Sequence, residues 1–189
     1  MVYHLMNSEK QVLDLQPYNY ITYKPDYYTF VTAYKYEYHC YFYDFSAAFS
    51  EYPELAPKVF GFNLDLVFKP EGLTRVPPDP GIAVTVTNIL KTFLSKNENA
   101  VIYICDYSDN REKARFYTFT NWFRRFNDGS VVHLKGMIRA GETTILNAML
   151  INRENPLLND FIEAYEILTG IYTKPDNDYL DNILNDGDW

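Results

Sequence analysis

One stretch decides the fold of this 189-residue sequence: Ala100-Val101-Ile102-Tyr103-Ile104-Cys105, then Asp106-Tyr107-Ser108-Asp109-Asn110, then the run from Arg111 to Phe126. Its first six residues are apolar on both faces of an extended chain, which predicts a central strand that is covered on both sides. Asp109 and Glu112 then have the spacing of a helix capping box. The following helix is predicted to pack one phenylalanine-rich face on the sheet, formed by Phe116, Phe119, Phe123 and Phe126.

Three segments before this unit alternate with a period of two residues, which predicts strands. Asp26–Ala33 and Tyr34–Phe45 are predicted to form a β-hairpin, and Lys58–Phe68 is predicted to be a third strand. In the second strand, Tyr34, Tyr36, Tyr38, Cys40 and Phe42 alternate with Lys35, Glu37 and His39 on the other face. Residues 1–25 are only weakly periodic, and a short edge element is expected near their apolar positions Val12, Leu13 and Leu15.

Two further helices are indicated by an N-cap residue that is followed by proline. One starts at Asp79-Pro80 and runs to about Lys96, and the other starts at Asn155-Pro156 and stops near Gly170. Between them, Ser130–Lys135 and Glu142–Ile151 are predicted strands.

The predicted order is therefore βββ–α–β–α–ββ–α, which favours an α+β fold with a mainly antiparallel sheet and helices mostly on one face. Residues 1–171 are expected to form a single domain, and residues 172–189 an acidic C-terminal tail.

Charge and apolar content limit the classes of function. The net charge of −8 argues against general binding to nucleic acid or to anionic membranes. The N-terminal residues do not resemble a signal peptide, and we find no apolar run of the roughly 20 residues that a membrane helix needs. We therefore expect a cytoplasmic protein without membrane association. Cys40 and Cys105 both lie in apolar strand patterns, so we expect buried free thiols.

The start of the helix after the central strand is a candidate anion site. Arg111 and Arg115 lie one turn apart near a helix N-terminus, where the helix dipole disfavours cations, so both need partners. Those partners are either Asp106 and Asp109 or a bound phosphate or carboxylate. The alternative interpretation is an ordinary lattice of ion pairs on a solvated helix.

The tyrosines of the predicted second strand suggest an interaction surface. Tyr41 and Tyr43 lie on the same face as His39 and Lys35, in a chain with 18 tyrosines. A mixed aromatic and polar face is typical of a protein-contact surface, although it can also stack single-stranded bases. The acidic balance favours a protein partner, or a second copy of the chain, over nucleic acid.

The sequence shows neither an HExxH, paired CxxC or EF-hand pattern nor a Walker, dinucleotide-binding or GxSxG pattern, so we expect neither a metal nor a cofactor. A nucleophilic Cys105 would need a histidine base, and nothing in the sequence brings His4, His39 or His133 near it. A metal-dependent nuclease built on Asp65 and Asp106 stays open, since such sites assemble from distant strands.

Three segments carry a family resemblance: Tyr28-Thr29-Phe30, Pro80 to Phe93, and Ile104-Cys105-Asp106 to Trp122-Phe123, the last including Asp109, Arg111 and Ala114-Arg115. Together they resemble a bacterial family that is known only as a domain of unknown function. The resemblance covers about residues 26–127. It implies a small bacterial cytosolic protein, and no activity comes with it.

We therefore expect a non-enzymatic interaction module, either inhibitor-like or immunity-like toward a basic protein or self-associating. The alternative is an enzyme or sensor that binds a phosphate-bearing ligand or nucleic acid around Asp106–Arg115.

Overall fold

The computed structural model describes residues 15–72, 78–105, 108–140 and 143–170. The strands are β1 (Tyr20–Lys24), β2 (Tyr27–Val31), β3 (Glu37–Asp44), β4 (Val59–Phe68), β5 (Ala100–Ile104), β6 (Val131–Ala140) and β7 (Thr143–Asn152). The helices are α1 (Pro80–Leu94), α2 (Glu112–Phe126) and α3 (Leu158–Thr169). Two short 3-10 segments, Ser46–Phe49 and Ala56–Lys58, connect β3 to β4.

The strands form one seven-stranded sheet in the order β1-β2-β3-β4-β5-β7-β6. Five of the six neighbouring pairs are antiparallel, and only β4 and β5 run parallel, joined by the crossover helix α1. The predicted α+β class and the mainly antiparallel sheet are therefore confirmed. The structure adds one strand, β1, at the edge of the sheet, so four strands precede the first helix.

The first face of the sheet is covered by α1 and α2. Alternation along β3 points Tyr38, Cys40 and Phe42 into this core, where the Phe42 ring stacks on Phe93 of α1 with centroids 3.7 Å apart. Helix α1 begins as predicted, because Asp79 accepts a hydrogen bond from the Gly81 backbone N–H and a proline occupies the first turn.

The second face is covered by α3 and by the 3-10 segments. Phe161 and Tyr165 of α3, with Phe49, pack on apolar side chains of β5 and β7. Most contacts of α3 with the sheet go to β6 and β7, at the opposite end of the sheet from β1. The prediction that the helices lie mostly on one face is thus confirmed, with α3 on the other side.

Three local predictions need correction. Helix α2 begins at Glu112 with Arg111 at the cap position and no side-chain capping bond, so Asp109 is not the N-cap. Helix α3 begins at Leu158, although the Asn155 side chain still accepts a hydrogen bond from the Leu157 N–H at 2.8 Å. Tyr34 is half exposed in the turn between β2 and β3, so it is not part of the buried strand face.

Candidate functional site

The first candidate region is the segment before α2. Both terminal nitrogens of Arg115 donate to the carboxylate of Asp109, at 2.7 and 2.6 Å. Asp109 also accepts from the backbone N–H of Arg111 at 3.2 Å. The hydrogen bond from Arg115 is the main reason why the pKa of Asp109 lies below its usual range. Asp106, the remaining residue of the predicted anion site, lies outside the described residues.

In this geometry Asp109 and Arg115 are ion-pair partners, so neither side chain requires an external ligand to explain its position. The bidentate pairing is the arrangement in which arginine binds a carboxylate ligand most specifically, and here the carboxylate belongs to the chain itself. An anion that binds both terminal nitrogens of Arg115 would have to displace Asp109. Anion binding in this region stays a prediction.

Cys105 directly follows β5 and is buried, with 2% of its surface exposed. Burial raises the pKa of its thiol to about 12, and the nearby Arg115 offsets this only in part. Cys40 is buried as well, and both thiols are free, as predicted. His133 lies beside Tyr103, with its Nε2 3.0 Å from the phenol oxygen. The geometry supports core thiols.

The second candidate region is on the second face of the sheet. Because Tyr38, Cys40 and Phe42 enter the core, the alternate residues of β3 point the other way. His39, Tyr41 and Tyr43 lie there together with Tyr27 of β2, and we call these four side chains the tyrosine face. Lys35 does not share it, because it lies in the turn before β3 with a positive φ of 64°.

Hydrogen bonds hold the rings of the tyrosine face. The Tyr27 hydroxyl lies 2.7 Å from Nδ1 of His39, whose Nε2 lies 3.0 Å from the carboxylate of Glu37. The rings of Tyr27 and Tyr41 stack with centroids 5.5 Å apart. This gives a carboxylate–imidazole–phenol chain along two strands, next to a stacked pair of tyrosines.

Strand β4 completes the polar part of this surface. The Asn63 amide donates to the Tyr41 hydroxyl at 2.7 Å and to the Asp65 carboxylate at 2.9 Å. Opposite Tyr43 in the register stands Gly61, and the Tyr43 ring lies directly over it. Sequence reasoning missed Tyr27, Asn63 and Gly61, because their place depends on the register between strands. The signals in the sequence were the predicted pairing of the first two strands and the alternation of the third, which puts Gly61, Asn63 and Asp65 on one face.

The tyrosine face continues into exposed apolar side chains toward the edge of the sheet. Tyr43 is 41% exposed, Val31 50%, Ile21 69% and Tyr23 79%. The Tyr23 ring meets Tyr27 edge-on, with centroids 6.3 Å apart. The tyrosine face and the outer side of β1 therefore form one continuous surface of aromatic and aliphatic groups.

An acidic cavity of about 320 Å³ lies on the same side of the sheet, between the 3-10 segments and α3. Its charged lining residues are Glu51, Glu54, Asp160 and Glu163, around the apolar Leu55 and Ala164. Across the described ranges, no three His, Cys, Asp or Glu side chains are grouped so that they could hold a metal ion. In the same part of the chain, no helix combines the length and the apolar character that a membrane crossing requires.

Comparison with protein families gives one result. Residues 78–167, from the start of α1 into α3, match a family of unknown function, DUF6169. The predicted resemblance to a family of unknown function is confirmed, but the matched region starts later than the predicted 26–127 and extends through β6 and β7 into α3. No curated protein and no solved structure matches the chain. The tyrosine face, on β2 and β3, lies outside the matched region.

Proposed function

We propose that this protein is a non-enzymatic interaction module that binds a partner protein through the tyrosine face. The observation that carries the proposal is the aromatic surface on β1, β2 and β3, at the opposite end of the second face from α3. Tyr23 and Tyr43 are exposed there, and Tyr27 and Tyr41 are partly buried. Tyrosine is enriched in protein interfaces, because its ring buries a large apolar area and its hydroxyl keeps a polar contact. Arginine, tyrosine and tryptophan also supply most of the strong single contacts in such interfaces.

The hydrogen-bond network makes this surface suited to binding. Tyr27 and Tyr41 are each held by a hydrogen bond and by their mutual stacking. Side chains that are already ordered lose little rotamer entropy when a partner arrives, so more of the contact energy appears as affinity. A partner would meet two rings, those of Tyr27 and Tyr41, that are already ordered.

The charges on this side of the sheet favour a basic partner. Glu37 and Asp65 flank His39, and the acidic cavity on the same side of the sheet adds four carboxylates. These groups would repel the phosphates of a nucleic acid, whose binding depends on lysine and arginine contacts. They would instead attract a protein surface rich in lysine or arginine, and so favour fast association.

The sequence resemblance and the acidic charge lead us to place this role in a bacterial cytoplasm. An inhibitor-like or immunity-like protein that blocks a basic protein would have this charge and this kind of surface. The alternative anion-binding function near α2 has less support, because Arg115 already binds Asp109 through both terminal nitrogens.

Site-specific photocrosslinking in cells tests the proposal with a matched pair of positions. Tyr43 on the tyrosine face and Tyr117 on α2 are equally exposed, at 41% and 42%, but lie on opposite sides of the sheet. A benzophenone amino acid at position 43 should give a discrete adduct with one partner, and the same group at position 117 should not. Adding Tyr41→Ala should reduce the adduct about tenfold, as expected for a central contact.

Two results would overturn the proposal. One is the absence of any adduct from position 43. The other is the same set of adducts from positions 43 and 117, which would indicate random encounters.

A further inference from the structure

Strand β1 is an edge strand whose outer side is unusually apolar. Among the described strands it pairs with β2 alone, and all its residues after Tyr20 are exposed. Ile21 and Tyr23, at 69% and 79%, have the highest exposures among the large apolar side chains of the described residues. An edge of this kind offers free backbone N–H and C=O groups next to apolar surface, and such edges tend to pair with another chain.

The two edges of the sheet differ in their protection. β6 carries the charged Lys135 in the middle of its length, whereas the single charge of β1, Lys24, lies at its end. β1 does have a register shift between Thr22 and Lys24, and a bulge of this kind limits pairing to a short segment. Any association through β1 is therefore expected to be weak and dependent on concentration.

We propose that β1 pairs antiparallel with β1 of a second copy, around a two-fold axis at Thr22. In this register Ile21 lies across from Tyr23 of the other copy, so the two most exposed apolar side chains cover each other. The two Lys24 residues lie at opposite ends of the paired segment, so no like charges face each other. Aromatic and β-branched residues opposite one another are a favourable cross-strand pair.

The symmetry also favours a second copy over other occupants. A two-fold pairing of identical strands closes on itself as a dimer, whereas pairing β1 with β6 of the next copy would give a larger ring or an open filament. The chain enters β1 from the helix side of the sheet, because the Tyr18 N–H donates to Thr85 of α1 and its hydroxyl to Asp79. The dimer would join two seven-stranded sheets and leave each tyrosine face open to a partner.

Charge exchange at the two-fold axis tests this arrangement. Thr22 is exposed, so Thr22→Lys and Thr22→Glu should fold normally, but each places two like charges opposite each other in the dimer. Sedimentation equilibrium should show dimerisation of the unmodified chain, and each variant should raise the dissociation constant about fivefold. An equimolar mixture of the two variants should restore dimerisation, because lysine then faces glutamate. Thr92→Lys, at an exposed threonine of α1, is the matched control and should dimerise like the unmodified chain.

Each other outcome overturns the proposal. A monomer at the highest soluble concentration would mean that β1 stays unpaired or is covered by residues 1–14. A dimer that neither Thr22 variant weakens would place the contact elsewhere, for example on the tyrosine face. Two weakened variants that do not recover on mixing would exclude the two-fold axis at Thr22.

Discussion

Replacing Gly136 by alanine should destabilise the protein strongly. Gly136 of β6 lies under α3, where an added Cβ would collide with the Tyr165 hydroxyl and lie 2.7 Å from Cγ2 of Thr169. Tyr165 is 1% exposed, and its hydroxyl donates to the buried Asn147 side chain at 2.5 Å. The ring can therefore move only if this hydrogen bond breaks or α3 shifts. Overpacking and a lost buried hydrogen bond together should lower the free energy of unfolding by about 3 kcal/mol.

Gly61→Ala is the matched control, because its added Cβ would also collide with a tyrosine ring, that of Tyr43. Here the neighbour is 41% exposed and can rotate into solvent. Unfolding free energy should then change by less than about 1 kcal/mol. The same substitution is thus expected to cause a large loss of stability in one strand and a small change in the other. The difference comes from the burial of the neighbouring tyrosine.

Urea denaturation followed by far-UV circular dichroism measures both variants. A double variant, Gly136→Ala with Tyr165→Phe, separates the collision from a general loss of packing. Removing the hydroxyl removes the closest contact, so the double variant should be more stable than the sum of the two single effects predicts. Two results would refute the collision with Tyr165. One is additivity of the two single effects within about 0.5 kcal/mol, and the other is a larger loss of unfolding free energy for Gly61→Ala than for Gly136→Ala.

Three further predictions concern titratable groups. Burial lowers the pKa of His133 from 6.5 to about 4, so stability should be fully present above pH 6.5 and fall by up to about 3 kcal/mol as the pH drops to 4. His133→Gln should lack this fall in urea denaturation measured across that pH range. Hydrogen bonds from Ser130, with a smaller contribution from Lys91, hold the pKa of Asp128 well below its usual range. An NMR titration should therefore show a larger rise in the pKa of Asp128 for Ser130→Ala than for Lys91→Met. The reverse order would contradict the assignment. Burial raises the pKa of both cysteine thiols to about 12, so a thiol reagent at neutral pH should label them slowly in the folded protein and quickly in urea.

Much of the fold could be predicted from patterns of period two and from helix start signals. The strand alternation in β3 and the Asp79-Pro80 start of α1 are local signals, and the structure confirms both. The edge strand β1 was not predicted, because its residues are exposed on the outer face. Its alternation is therefore weak, and the sequence instead predicts an edge element around Val12, Leu13 and Leu15. Val12 and Leu13 lie outside the described residues, and Leu15 is described but lies outside any strand.

The candidate sites show what spacing alone cannot decide. Asp109 and Glu112 have the spacing of a capping box, but a carboxylate near a helix start can equally bind an arginine six residues later. In the structure Asp109 binds Arg115, and α2 begins without a side-chain cap. Both arrangements use the same residue types, so the choice between them depends on where the chain enters the helix.

The tyrosine face could be predicted only in part for a related reason. Alternation placed His39, Tyr41 and Tyr43 on one side of β3, but the hydrogen bond to Tyr27 and the position of Gly61 depend on how β3 pairs with its neighbours. Register is fixed by the whole sheet, because a shift by one residue would exchange the buried and exposed faces.

Among the helices that the structure describes, the position of α3 leaves the tyrosine face uncovered. Helix α3 follows β7 directly along the chain, and it packs on β7 and β6 at the end of the sheet away from β1. The outer sides of β2 and β3 are therefore left for other contacts, and a purely aliphatic face there would promote aggregation. Tyrosines whose hydroxyls bind His39 and Asn63 reduce that risk, because each ring presents apolar area while its polar group remains satisfied. Under the proposed function, the same combination lets the face tolerate water and also bind a partner.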